Sequence, residues 1–147
     1  MHERIGYLPE APYFYDYLTA REFLNYCGEL CGLNQATRGR RTEDLLTRVN
    51  LEKKSWDRQL RKFSKGMLQR VGLAQAIVND PEIVFLDEPM SGLDPVGRRE
   101  VRDLIAALRD ESKTIFMCSH ILSDIEVLVR QRRDFERRQA GSRRLAG

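Results

Sequence analysis

Long apolar stretches are missing from this sequence. Its 147 residues hold no unbroken apolar run beyond a handful, of which Ile83 to Leu86 is typical, whereas a membrane-spanning helix needs roughly 20. A secretory leader is equally absent, since Met1 to Ala11 carries Glu3, Arg4 and Glu10 and has no apolar centre. Cysteine is scarce and odd in number (Cys27, Cys31 and Cys118), which argues against a disulfide framework. Cys27 and Cys31 fall on one helix face without a nearby histidine, so they read as small core residues rather than metal ligands. These absences together point to a cytosolic protein.

What is present fits one globular domain, at 41% hydrophobic and 32% charged residues. The formal net charge of +3 is unevenly spread. Residues 130–147 hold seven arginines against Asp134 and Glu136, a net +5, which leaves −2 for residues 1–129. The body is therefore not a basic nucleic-acid binder, and nucleic acid is not expected as a partner.

The spacing of apolar residues changes along the chain in a way that assigns elements. Arg4 to Leu8 reads as a short strand stopped by Pro9, followed by an aromatic-rich loop. Thr19 with Glu22 three residues on makes a capping box for a helix whose apolar face is Phe23, Leu24, Cys27, Leu30 and Cys31, with Gly32 as its stop. A second amphipathic helix is expected over about Thr42 to Val49. The strongly charged text from Leu51 to Phe63 reads as surface loop and short helix. Ser64 then caps a helix bearing Leu68, Val71, Ala74, Ile77 and Val78, expected to run to Asn79-Asp80-Pro81.

Ile83 to Leu86 and Thr114 to Cys118 are continuous apolar runs of the kind that make strands buried on both faces of a parallel sheet. Between them, Ser91 to Pro95 makes a turn into a helix over about Val96 to Asp110, and a further helix is expected near Leu122 to Val129. Alternating helices and strands predict an α/β fold with a parallel sheet.

Chemistry concentrates at the ends of these elements. Asp87 and Glu88 place adjacent carboxylates at the carboxyl end of a strand, where open α/β sheets keep their ligands. Neighbouring strand residues point to opposite sides, so one acid can hold Mg²⁺ through oxygen while the other polarises a water beside a phosphate. Ser64-Lys65-Gly66-Met67 opens a helix, whose first amides and positive dipole end suit an anion. Ser91-Gly92-Leu93-Asp94 and His120 follow at the ends of later elements.

With those sites in order, the sequence closely resembles the ATP-hydrolysing subunit of an ABC transporter, over about Ile5 to Leu128. Phe63 to Met67 resembles the family's LSGGQ signature, Ile83 to Glu88 its Walker B strand, Ser91 to Asp94 its D-loop and His120 its switch histidine. Tyr7-Leu8-Pro9-Glu10 stands where the Q-loop would be, with Glu10 in place of the usual glutamine. Lys65 and Met67 likewise replace the Gly and Gln of the commonest signature. The resemblance implies a partial P-loop NTPase (RecA-like) parallel sheet over residues 1–129, with an α-helical signature subdomain over about residues 17–80. It implies ATP and Mg²⁺ as cofactors.

Residue by residue, Ser64, Lys65, Gly66 and Met67 would face the γ-phosphate of an ATP held mainly by a second subunit, and Asp94 would couple the two sites. Asp87 would hold Mg²⁺ through water and Glu88 would be general base. His120 would hold the γ-phosphate and the attacking water. Glu10 would approach the metal and link nucleotide state to the membrane partner. The implied partners are a second nucleotide-binding subunit, as homodimer or paralogue, and an integral membrane permease that holds the protein at the cytoplasmic face.

One expected part is missing. No G-x-x-x-x-G-K-[ST] phosphate loop occurs, because the Lys of Lys54-Ser55 and of Lys113-Thr114 has no glycine before it. The sequence is accordingly expected to be an N-terminally truncated part of a larger subunit, without the phosphate-loop strand and of marginal stability. The Arg-rich residues 130–147 are expected to be a divergent, disordered tail, from a shifted reading frame or, alternatively, as a basic arm. A rival reading is a catalytically inactive fragment that docks on an intact ATPase subunit. A chromosome-organising or DNA-repair ATPase is disfavoured by the lack of sustained heptads between Glu10 and Ser64.

Overall fold

Three parallel strands organise residues 4–120, the part that the computed structural model describes. They are β1 (Ile5–Leu8), β2 (Ile83–Asp87) and β3 (Thr114–Cys118), in the spatial order β1-β2-β3. Between β1 and β2 stand α1 (Ala20–Leu30), α2 (Gln35–Arg48), 3-10 turns at Lys53–Ser55 and Leu60–Lys62, and α3 (Lys65–Ala76). The helix α4 (Pro95–Asp110) joins β2 to β3. Parallel strands need such crossovers, and the α/β expectation is met. The helix expected near Leu122 and the Arg-rich segment lie outside the described residues. Among the described residues no helix is long and apolar enough to cross a membrane.

The register fixes what the rim of the sheet can hold. Leu8 pairs with Leu86 and Leu86 with Met117. The chain therefore leaves the three strands through Pro9-Glu10, Asp87-Glu88 and Ser119-His120 on one side of the sheet. Below that rim Leu8, Val84 and Leu86 are buried in a single apolar cluster with Leu24, Leu45, Val71, Val101 and Leu108. The helix α3 runs close to β1: a Cβ on Gly6 would lie 1.9 Å from the Ala76 carbonyl oxygen, so only glycine allows this approach.

Local signals explain the helix ends. The capping box is formed, Thr19 Oγ1 accepting from the Glu22 amide at 3.1 Å and Glu22 Oε2 from the Thr19 amide at 2.9 Å. The helix α2 begins seven residues earlier than its apolar face suggests, because Asn34 Oδ1 caps it by accepting from the Thr37 amide at 2.9 Å. The helix α3 ends at Ala76 rather than Asn79; Arg41 of α2 donates to the carbonyls of Ile77 (2.7 Å) and Val78 (3.2 Å) there.

Two expectations are corrected. The residues from Leu51 to Phe63 are not surface: Leu51, Ser55, Trp56, Leu60 and Phe63 are buried, and Trp56 Nε1 donates to the Leu51 carbonyl at 2.9 Å. Short turns point this sparse apolar set inward while the abundant charges face out. The strands are not buried on both faces either. Tyr7, Phe85 and Phe116 project from the face opposite the cluster and are exposed among the described residues, with the Phe85 and Phe116 rings stacked 5.0 Å apart.

Candidate functional site

The end of β2 carries the most constrained residue of the rim. Glu88 has φ +50, a left-handed conformation that costs a residue with a Cβ roughly 1–2 kcal/mol. Its amide donates to the Cys118 carbonyl at 2.9 Å, and its own carbonyl accepts from the Ser91 amide at 3.1 Å. The carboxylate then turns toward the end of β3. Glu88 Oε1 accepts from the His120 amide at 2.9 Å and lies 2.6 Å from His120 Nδ1. The His120 ring holds this carboxyl below the usual carboxylate range; partial burial opposes that shift, and the His120 amide and the Ser119 hydroxyl assist it. Bonded through Nδ1, His120 keeps Nε2 for another partner. The sequence separates Glu88 and His120 by 32 positions, and the sheet brings them together.

The helix α3 begins beside the turn that follows. Ser64 caps it, its Oγ accepting from the Met67 amide at 3.2 Å, so the hydroxyl proton remains a donor. A Cβ on Gly66 would meet Leu93 Cδ2 at 3.3 Å and the Gly92 carbonyl oxygen at 3.8 Å. The Lys65 stem lies across Gly92, whose missing side chain leaves room for it. The turn Ser91-Gly92-Leu93-Asp94 thus sits against the serine-capped helix end, and Gly92 takes φ +74. Asp94 caps α4, its Oδ1 accepting from the Gly97 amide at 2.8 Å ahead of Pro95 in the first turn.

Asp87 ends β2 half-buried, paired in register with Cys118. Glu10 is exposed two residues beyond β1, on the same side of the sheet. Among the described residues no group of three or more acidic, histidine or cysteine side chains could hold a metal ion by itself. One or two carboxylates at a strand end do suit Mg²⁺, which is commonly bound by one or two carboxylates with waters and substrate phosphates. Lys113 does not reach this rim. It lies at the start of β3, its Nζ 2.6 Å from Asp80 Oδ1 and 2.8 Å from the Pro81 carbonyl.

Sequence reasoning passed over Gln69 and Ser119. The Gln69 side chain is buried in α3, and its Nε2 donates to the carbonyls of Glu88 (3.2 Å) and Pro89 (3.0 Å). The available signal was an amide on the inward side of an otherwise apolar helix face.

A family model described as ABC transporter matches residues 1–91. An uncharacterized ABC transporter ATP-binding protein of Synechocystis is 58% identical over 125 residues, covering 84% of this chain and 35% of the relative. The bacitracin transport ATP-binding protein BcrA of Bacillus licheniformis is 44% identical over 127 residues, covering 86% and 40%. A solved ATP-binding cassette, dimeric in a post-hydrolysis state with ADP and Pi, superposes with a TM-score of 0.76 at 24% identity, over 82% of this chain and 54% of that one. That likeness is one of fold. The chain spans well under half the length of these two curated relatives.

Proposed function

Because the chain belongs to the ABC transporter family, as part of its ATP-binding domain, we propose that it works in a subunit that binds and hydrolyses ATP to power transport across a membrane. The observation that carries the reading is the Glu88–His120 pair, 2.6 Å apart at the rim, beside a turn that also holds the serine-capped end of α3. Glu88 takes the proton of the attacking water as that water adds to the γ-phosphorus and the bond to the β-γ bridging oxygen breaks. The His120 ring holds the Glu88 carboxyl below its usual range, so it is ionised at neutral pH, and His120 orients it and offers Nε2 toward the γ-phosphate.

Asp87, with Glu10 beyond the end of the neighbouring strand β1, would hold Mg²⁺, which neutralises phosphate charge when bound. Ser64 supplies its hydroxyl proton, and Lys65 and Gly66 the first-turn amides that an α-helix leaves without an intrahelical partner, to the nucleotide of a second subunit, while Met67 closes that helix end by donating its amide to Ser64 Oγ. Asp94 caps α4 in the turn between the two half-sites and would carry coupling across the pair. The partners in this reading are a second ATP-binding subunit, as homodimer or paralogue, and a membrane permease, with Glu10 relaying nucleotide state toward the latter. Because one relative's name specifies bacitracin transport, peptide antibiotics are the first substrates to test.

The test mixes this chain with an ATP-binding subunit that carries a phosphate loop. ATP-dependent association is expected, and Ser64→Arg should abolish it. In the assembled ATPase, Glu88→Gln should cut steady hydrolysis at least 100-fold, since general-base catalysis contributes about 10²–10⁴-fold, while leaving ATP-dependent association intact. Unchanged turnover would remove Glu88 from the role of base. Association without any turnover, even with wild-type Glu88, would favour the reading of a docking fragment.

A further inference from the structure

We propose that Gln69 is a positioning residue that ties the carboxylate of one nucleotide site to the helix end that serves the other. The proposal rests on the reading of Glu88 as the base and of Ser64 as a contact to the neighbouring nucleotide.

Gln69 is 4% exposed, on the second turn of a helix whose other inward residues are apolar or small. A buried amide must find partners, and an apolar residue of the same size would fill the space without that demand. Both of its Nε2 protons go to successive carbonyls of one turn, Glu88 at 3.2 Å and Pro89 at 3.0 Å. That turn holds Glu88 at φ +50, a conformation that persists only where the surroundings over-determine it.

The restraints on Glu88 divide by origin. Its amide and carboxylate are held from the end of β3, by the Cys118 carbonyl and by His120, and the Ser91 amide comes from the turn itself. Gln69 alone among these partners belongs to α3. Five residues before it is Ser64, and between them Lys65 and Gly66 lie against Gly92 and Leu93. The helix therefore meets the turn at both its ends, at Gly92-Leu93 near the capping serine and at Glu88-Pro89 through the amide. A displacement of Ser64 on engaging a nucleotide travels along one rigid helical turn to the backbone of Glu88. Closure at one site would then set the aim of the base at the other.

The test uses Gln69→Leu, which removes the donors at similar volume, and Gln69→Asn, which keeps the amide but shortens its reach. In this chain, amide hydrogen exchange at Glu88 and Ser91 should quicken at least tenfold in Gln69→Leu, while Leu73 and Ala74 within α3 stay within twofold. In the assembled ATPase, kcat should fall at least tenfold with KM for ATP within twofold and ATP-dependent association unchanged, and Gln69→Asn should fall between. Unchanged exchange at Glu88 would overturn the proposal. So would a parallel loss of association and kcat, or failure of both variants to fold, because either assigns Gln69 to the integrity of the helix alone. If Glu88→Gln leaves turnover intact, the catalytic reading fails and the coupling with it, whereas the exchange result still reports separately whether the clamp exists.

Discussion

Gly92 is where the contact between helix and turn is most exposed to a single substitution. Gly92→Ala adds a Cβ in two unfavourable respects. The first is conformational: at φ +74 an L side chain meets its own backbone, which costs about 1–2 kcal/mol. The second is steric, since the new Cβ would lie 2.6, 2.8 and 2.9 Å from Lys65 Cδ, Cγ and Cε. Those atoms belong to an exposed, flexible stem that can swing aside, so this part is worth about 0.5 kcal/mol or less. The conformational cost therefore dominates, and about 1–2 kcal/mol of stability should be lost. The lone tryptophan, Trp56, is buried and reports unfolding by its fluorescence. With a urea dependence of about 1–3 kcal/mol per molar, the midpoint should fall by about 1 M. Repeating the substitution in a Lys65→Ala background separates the causes, because removal of the lysine cannot relieve a strained φ. The reasoning is refuted if the loss vanishes in that background, or if Gly92→Ala alone proves neutral.

Three further outcomes are expected. Burial pushes the Cys27 thiol up to about 12, so in the folded chain near pH 8 it should resist alkylation while exposed Cys118 reacts; equal labelling rates would contradict the core placement. Glu88 titrates below its ordinary value of 4.5, so its pairing with His120 stabilises the fold in full above that pH and is lost as pH falls through the depressed native value. The stability gap between wild type and Glu88→Gln should accordingly narrow as pH falls below 4.5 in denaturant titrations, and a widening gap would reverse that sign. Glu100→Gln should cost about 1–3 kcal/mol in the same titrations. It weakens an ion pair at 2.6 Å between Glu100 of α4 and mostly buried Arg70 of α3, which also donates to the Val49 carbonyl at 3.0 Å; a neutral result would show the pair to be dispensable.

Legibility followed the range of the interactions. The capping box at Thr19 and Glu22 and the cap at Ser64 depend on residues within four positions, and both were readable in the sequence and are formed, whereas Asp94, read as part of a turn, also caps α4. The three strands were readable as short β-branched and aromatic runs, but which of their faces is covered was not. Tyr7, Phe85 and Phe116 belong to the same unbroken runs as Leu8, Val84 and Leu86, so no polar residue marks the uncovered face, and the placement of the helices decides which set is buried. Leu51, Trp56, Leu60 and Phe63 were hidden by the charges around them, because their burial depends on contacts with distant segments, as where the Leu60 amide bonds the Leu18 carbonyl at 2.9 Å. The early start of α2 rests on one asparagine ahead of a polar first turn, where periodicity carries no signal.

The same distinction explains why the replaced signature positions fit the site. Lys65 stands where the commonest signature has glycine, and the change looks severe if that position must stay bare for a nucleotide. In the fold its stem leaves the helix end sideways and lies along Gly92, so the bulk is taken up by a glycine of the following turn. Gly66 is less tightly packed than Gly92. A Cβ there would ask Leu93 Cδ2, at 3.3 Å, to give by a few tenths of an ångström and would make ordinary contact with the Gly92 carbonyl at 3.8 Å. Lys65 and Gly92 therefore form a matched pair, large against small, while Gly66 touches only the end of the Leu93 side chain closely. Lys65→Gly should be tolerated with Gly92 present, and Gly66→Ala, which asks Leu93 to give by a few tenths of an ångström without a strained φ, should lower the urea midpoint less than Gly92→Ala does.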